Sequence, residues 1–126
     1  MSNLNEQDIA EYMEEKKVYS KDCTIVDLVC EWEDLIEELS EKEIDYYYNK
    51  QAYQQLGDMI ISETDFKSLY GANNQKVRDN HVRNELSDLY NTIKTLEFSI
   101  DWINRRISLV RELVQVKRVM MEVKRK

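Results

Sequence analysis

Apolar residues between positions 82 and 114 recur at alternating steps of four and three, which aligns them along one side of a helix. They are Val82, Leu86, Leu89, Ile93, Leu96, Ile100, Ile103, Ile107, Val110 and Val114. A stripe with this period requires a second helix beside it. The pattern predicts a long helix over residues 75–123 that pairs with another helix of the chain.

A second stripe with the same steps begins at Ile25 and predicts the partner helix, over residues 24–61. Its positions are Ile25, Leu28, Trp32, Leu35, Leu39, Lys42, Tyr46, Asn49, Tyr53, Leu56 and Ile60. Thr24 and Asp27 fit a capping box at its start. The polar positions Lys42 and Asn49 either send their ends to water or fix the register of the pair. Gly57 marks a bend or a close helix contact.

Residues 62–74 are expected to form the turn between these helices. Asp65 is placed to cap a single helical turn, and Gly71 to end it in the left-handed conformation. Asn73 or Asn74 then caps the last helix. With the turn centred near residue 67, Tyr46 should face Leu89 and Tyr53 should face Val82.

The N-terminal region adds a short predicted helix over residues 5–17, with Ile9, Tyr12 and Met13 on one side. The whole chain, 1–126, is therefore expected to be one all-α domain. Its predicted architecture is a long antiparallel helical hairpin, resembling a coiled coil, with a short N-terminal helix and a tendency to assemble into a helical bundle.

The last predicted helix carries a second apolar stripe that a simple hairpin leaves uncovered. An exposed stripe of this kind usually marks a packing partner. The short N-terminal helix, a second copy of the chain or another protein are the candidate partners. The residues of this predicted docking surface are Phe98, Trp102, Leu109, Leu113, Val116 and Met120.

Composition supports long helices, since the 126 residues include no Pro and only two Gly. No apolar run approaches the roughly 18 residues of a membrane span. The acidic N-terminus lacks the apolar core of a signal peptide, so a cytoplasmic location without membrane association is expected.

Charge is divided unevenly along the chain, whose net charge is −7. Residues 1–65 contain 5 Lys/Arg and 18 Asp/Glu, whereas residues 66–126 contain 13 and 7. An acidic helix face is predicted as a surface for a protein partner, comprising Glu31, Glu33, Asp34, Glu37, Glu38 and Glu41. The basic C-terminus offers an alternative surface for nucleic acid, comprising Lys117, Arg118, Lys124 and Arg125.

Catalytic and metal-binding signatures are not found. His81 has no second His or Cys to work with, and Cys23 and Cys30 would lie roughly 10 Å apart on a helix, too far for a disulfide. Paired acidic motifs of all-α nucleotide pyrophosphohydrolases have a counterpart in Glu37, Glu38 and Glu41 with Glu85 and Asp88, but the predicted register keeps the two groups apart. A non-enzymatic protein without metal or cofactor is expected.

The break Tyr70-Gly71-Ala72-Asn73-Asn74, followed by Lys76 and Arg78, lies between two long helices of period 3.5. In this arrangement residues 40–115 resemble small helical-hairpin proteins encoded by phages and prophages of low-GC Gram-positive bacteria. The resemblance implies a small protein that acts on other proteins or assembles with them. Proteins of this kind include inhibitors of host defence and accessories of replication or recombination.

Three functions follow as hypotheses. The first is a protein-binding modulator or inhibitor of a host or defence protein, for example anti-CRISPR-like, whose acidic face competes with nucleic acid. The second is a nucleic-acid-binding accessory of phage replication or recombination that uses the basic C-terminus. The third is a self-assembling scaffold, which agrees with the expected homo-oligomer.

Overall fold

A computed structural model describes residues 23–125, apart from the side chains of the last two. This part of the chain contains four helices and no strand: α1 (Ile25–Glu63), α2 (Phe66–Tyr70), α3 (Gln75–Glu85) and α4 (Ser87–Arg125). The all-α fold with a long antiparallel helical hairpin is confirmed. The predicted helix over residues 5–17 lies outside the described residues.

The start of α1 is fixed by the predicted capping box. The Asp27 backbone N–H donates to Thr24 Oγ1, and the Thr24 N–H donates to Asp27 Oδ2, both at 3.1 Å. These two bonds satisfy donors that the first turn of a helix leaves unpaired. The hydrogen bonds from Thr24 hold the pKa of Asp27 below its ordinary value.

The link between the long helices also follows the local sequence. Asp65 caps α2 by accepting from the Ser68 N–H at 3.2 Å, and Gly71 ends α2 with φ of 73°. Asn74 caps α3 by accepting from the Val77 N–H at 2.9 Å. The single turn, its left-handed end and the following cap are all as predicted.

The described residues form two compact units, of which the first comprises residues 23–41 and 98–125. Its core contains Leu28, Leu35, Ile103, Val110 and Val114. Two contacts show that α1 and α4 are antiparallel in this unit. Lys117 donates to the Cys23 carbonyl, and Arg106 Nη2 lies 2.9 Å from Glu31 Oε1. The matched apolar stripes of the sequence therefore do form the core here.

The second unit comprises residues 42–97 and buries Phe66, Val82, Ile93 and Leu96. Gly57 is buried against Val82, which confirms a close helix contact at this glycine. The predicted stripe position Leu56 is 43% exposed instead. An α-helix has 3.6 residues per turn, slightly more than the 3.5 of the predicted stripe. Over several turns the buried side of α1 therefore shifts from residue 56 to residue 57.

The pairing register in the second unit differs from the predicted one. Tyr46 donates its hydroxyl to Glu97 Oε1 at 3.1 Å, and the Tyr53 ring centroid lies 6.2 Å from that of Tyr90. Both partners lie further along the chain than the predicted Leu89 and Val82. Because α1 continues to Glu63 and α3 begins only at Gln75, the centre of the link lies beyond residue 67.

The two polar seam positions are both half-buried. Asn49 Nδ2 donates to the Asp45 carbonyl at 2.7 Å, within its own helix. Its amide is therefore satisfied one turn away and takes no hydrogen bond from the facing helix.

The predicted helix over residues 75–123 is divided into α3 and α4 at Leu86, which has φ of −110° and ψ of 35°. Neither Pro nor Gly marks the interruption, which removes the usual sequence signals for a break. Ser87 and Asp88 follow directly, and an acidic residue in a first turn favours the start of a helix.

None of the helices within residues 23–125 is both long enough and apolar enough to cross a membrane. Both cysteines in this range are free thiols, as expected, with Cys23 partly buried and Cys30 exposed. Burial, together with the nearby charge of Asp27, raises the pKa of the Cys23 thiol.

Candidate functional site

The predicted acidic face lies on the part of α1 that belongs to the first unit. Glu33, Asp34, Glu37, Glu38 and Glu41 are all exposed. Helical spacing places these five carboxylates along the outward side of α1, opposite the buried Leu28 and Leu35. The structure therefore brings five of the six predicted residues together.

Glu31 departs from this set. Its side chain is partly buried and forms an ion pair with Arg106 of α4. The Arg106 guanidinium carbon also lies 5.1 Å from the centroid of the Trp102 ring. Glu31 therefore joins the two helices of the first unit, and its carboxylate is not available to the acidic face.

Within residues 23–41, α1 carries seven Asp/Glu and no Lys or Arg. The five exposed carboxylates form no ion pair with any residue in the described part of the chain. Pairs of like charge four residues apart, such as Glu33 with Glu37, each destabilise a helix by a few tenths of a kcal/mol. The capping box and the core offset this repulsion. The face therefore keeps a negative field that no ion pair within residues 23–125 neutralises.

The predicted apolar docking surface is narrower than expected. Leu109 is only 4% exposed, and Trp102 and Leu113 are half-buried against the core of the first unit. The exposed members are Phe98, Val116 and Met120. The burial of Leu109 removes the middle of the stripe from any surface that a partner can reach.

Sequence reasoning missed exposed apolar residues near the end of α4. Val119, Met121 and Val123 are all about half or more exposed. Val116, Val119, Met120 and Val123 share the spacing i, i+3, i+4, i+7, and this signal could have found Val119 and Val123.

The basic residues of the C-terminus are not equivalent. Lys117 is half-buried and donates to the Cys23 carbonyl, which joins the end of α4 to the start of α1. Arg118 is exposed, and Lys124 and Arg125 belong to the last turn of α4. One of the four predicted nucleic-acid contacts therefore has a structural partner instead.

His81 belongs to an aromatic cluster of the second unit. Its Nδ1 lies 2.5 Å from Tyr70 Oη, and its ring meets the Phe66 ring edge-on at 5.3 Å between centroids. The cluster joins α2 to α3 and gives this histidine a packing role. In the described range, no group of three or more His, Cys, Asp and Glu side chains is arranged to hold a metal ion.

The site and fold together define an all-α helical hairpin whose acidic helix face forms no ion pair with the residues that the structure describes. No protein-family model matches the sequence, and searches of curated proteins and of solved structures return no significant match.

Proposed function

We propose that this chain is a non-enzymatic protein-binding protein whose acidic face occupies a cationic, nucleic-acid-binding surface of another protein. The observation that supports this proposal is the set of five exposed carboxylates on α1 without ion-pair partners in the described chain. Such a field attracts a cationic surface and accelerates association with it.

The charge density of this face is comparable to that of a nucleic-acid strand. Eight helical steps separate Glu33 from Glu41, which is about 12 Å at a rise of 1.5 Å per residue. Five carboxylates over this length correspond to about one charge per 3 Å, whereas one DNA strand carries one phosphate per roughly 3.4 Å. A protein surface that binds phosphates along a strand can therefore bind these carboxylates in their place.

The resemblance to phage-encoded helical hairpins supplies the biological setting of the proposal. A cytoplasmic modulator or inhibitor of a host or defence protein, acting in an anti-CRISPR-like manner, would displace nucleic acid from its target. The basic C-terminal surface supports the alternative of a nucleic-acid-binding accessory less well, because Lys117 is engaged by Cys23.

The test compares the wild-type chain with the triple variant Glu37→Lys, Glu38→Lys, Glu41→Lys. The matched control is Asp58→Lys, Glu63→Lys, Glu85→Lys, which changes the net charge equally at exposed positions of the second unit. Proteins captured from host lysate are identified, and their affinities for the three chains are measured by calorimetry at 50 and 200 mM salt, with and without competing DNA.

We expect the wild type and the control to bind a nucleic-acid-binding protein, at least about tenfold more weakly at the higher salt, and to be displaced by DNA. The triple variant should lose binding. A triple variant that binds as tightly as the control would overturn the proposal. A shift of DNA by the chain itself, lost on Arg118→Glu and Lys124→Glu, would favour the nucleic-acid accessory.

A further inference from the structure

An apolar row borders the acidic face along one edge of α1. The row comprises Val29, Trp32 and Ile36, which are spaced i, i+3, i+7 on the helix. Trp32 packs against the core of the first unit, whereas Val29 is 36% exposed and Ile36 is 49% exposed. Glu33 follows Val29 by four residues and precedes Ile36 by three, so this carboxylate has an exposed apolar neighbour on either side along the helix.

The carboxylates of the acidic face form one continuous strip. Each lies three or four residues from another, as Asp34 does from Glu37 and Glu38, and residues at these spacings are neighbours on a helix. A nucleic-acid duplex instead presents two rows of phosphates, which are separated by grooves about 12 Å and 6 Å wide. One strip on one helix therefore corresponds to the backbone of one strand.

The spacing of charge along this strip also corresponds to a single strand. Its five carboxylates are spread over about 12 Å of the helix, which gives about one charge per 3 Å. One strand carries a phosphate per roughly 3.4 Å, whereas a duplex carries one charge per roughly 1.7 Å because both strands contribute. The strip thus matches about four consecutive phosphates of one strand.

The apolar row separates the two kinds of target further. Proteins that bind single strands without sequence preference combine a cationic groove with aromatic side chains on which the bases stack. A duplex keeps the faces of its bases stacked inside, so a protein bound to it contacts phosphates, sugars and base edges. Val29 and Ile36 place exposed apolar groups beside the strip, where a single strand has its bases.

We propose that the partner of the acidic face is a protein that binds single-stranded nucleic acid. The five carboxylates occupy its cationic groove in place of about four phosphates, and Val29 and Ile36 contact the aromatic side chains of that groove. Opposite charges hold the face in the groove, and the apolar row orients it there. This inference rests on the proposed function, since it names the class of protein that the same face binds.

The first arm of the test uses the host protein that the immobilised wild-type chain captures. The bound protein is displaced with a single-stranded DNA of about 20 nucleotides or with the duplex that contains this strand, at equal phosphate concentration. We expect the single strand to displace it at least about tenfold more effectively than the duplex. Equal or better displacement by the duplex overturns the inference.

The second arm measures the affinity of the same protein for the double variant Val29→Ser, Ile36→Ser, by calorimetry at 50 and 200 mM salt. The matched control is Leu56→Ser, which replaces a similarly exposed aliphatic residue of the second unit. Circular dichroism verifies that both chains remain helical. The double variant should bind about tenfold more weakly with an unchanged salt dependence, because its carboxylates remain, and the control should bind as the wild type does.

Wild-type affinity of the double variant would also overturn the inference. In either of these cases the proposed function still stands if reversing the charges of Glu37, Glu38 and Glu41 abolishes binding. Capture that persists after this charge reversal, or no capture by the wild type, overturns the proposed function and this inference with it.

Discussion

Gly57 of α1 lies so close to Val82 of α3 that a Cβ atom at position 57 would be 3.1 Å from Val82 Cγ1. Alanine at this position would gain helix propensity of about 1 kcal/mol, but it would press on a buried neighbour. The close contact explains why the least favourable helix residue after proline stands inside a 39-residue helix.

Gly57→Ala should therefore lower the free energy of unfolding by about 1 kcal/mol rather than raise it. In a Val82→Ala background the same substitution should instead stabilise by about 1 kcal/mol, because the obstructing methyl groups are gone. Urea unfolding of the four chains of this double-mutant cycle measures the coupling. Equal effects of Gly57→Ala in both backgrounds would show that the contact is loose.

The core of the first unit can be tested with two aliphatic residues that are close in sequence. Leu28 is fully buried, and Leu28→Ala should cost about 2–5 kcal/mol of unfolding free energy. Val26 is exposed, and Val26→Ala should stay within about 0.5 kcal/mol. Thermal unfolding followed by circular dichroism compares them, and similar losses would contradict the assigned core side of α1.

In the Glu31–Arg106 pair, removing Arg106 should cost more unfolding free energy than removing the charge of Glu31. Arg106→Ala removes the ion pair and the contact with the Trp102 ring, for a loss of about 2 kcal/mol. Glu31→Gln keeps the side-chain shape and removes only the charge, for a loss of about 1 kcal/mol. Chemical denaturation of both variants gives the difference. A loss in Glu31→Gln that exceeds the loss in Arg106→Ala would exclude the aromatic contribution.

Acid should weaken the start of α1 in a defined range. Hydrogen bonds from Thr24 lower the pKa of Asp27 from its ordinary 3.8, so the folded state favours the charged carboxylate. This stabilisation is complete above pH 3.8 and is lost as the pH falls through the lower folded-state value. The stabilisation from Asp65, at the cap of α2, depends on pH in the same direction, since hydrogen bonds from Ser68 lower its pKa.

The corresponding measurement is unfolding free energy between pH 2 and 6. Asp27→Asn should flatten the curve below pH 3.8 relative to the wild type. Thr24→Ala should cost about 1 kcal/mol at neutral pH through loss of the cap. Identical pH curves for wild type and Asp27→Asn would rule out the effect.

Features that depend on a few neighbouring residues were predictable from the sequence. Thr24 with Asp27, Asp65 with Gly71, and Asn74 each form a cap whose partners lie within four residues. The chemistry of such caps is local and does not need the rest of the fold. The core stripes were also predictable, because periodicity alone selects the buried side of a helix.

Features set by distant contacts were not predictable. The shifted register of Tyr46 and Tyr53 depends on where α1 and α3 end, which the stripes do not specify. Neither Pro nor Gly in the sequence marks the interruption at Leu86. The acidic face was predicted for five exposed carboxylates, whereas Glu31 was misplaced because its partner Arg106 lies 75 residues away in the chain.

The thiols of Cys23, which precedes α1, and of Cys30, within α1, differ in their exposure to solvent. Cys23 combines partial burial with a raised pKa, whereas Cys30 is open to solvent. A limiting amount of a maleimide spin label near neutral pH should therefore modify Cys30 first, because both access and thiolate formation disfavour Cys23. The native sequence thus carries a single addressable reporter on the outer side of α1, and the mobility of a label there reports whether a partner covers that side, without an introduced cysteine.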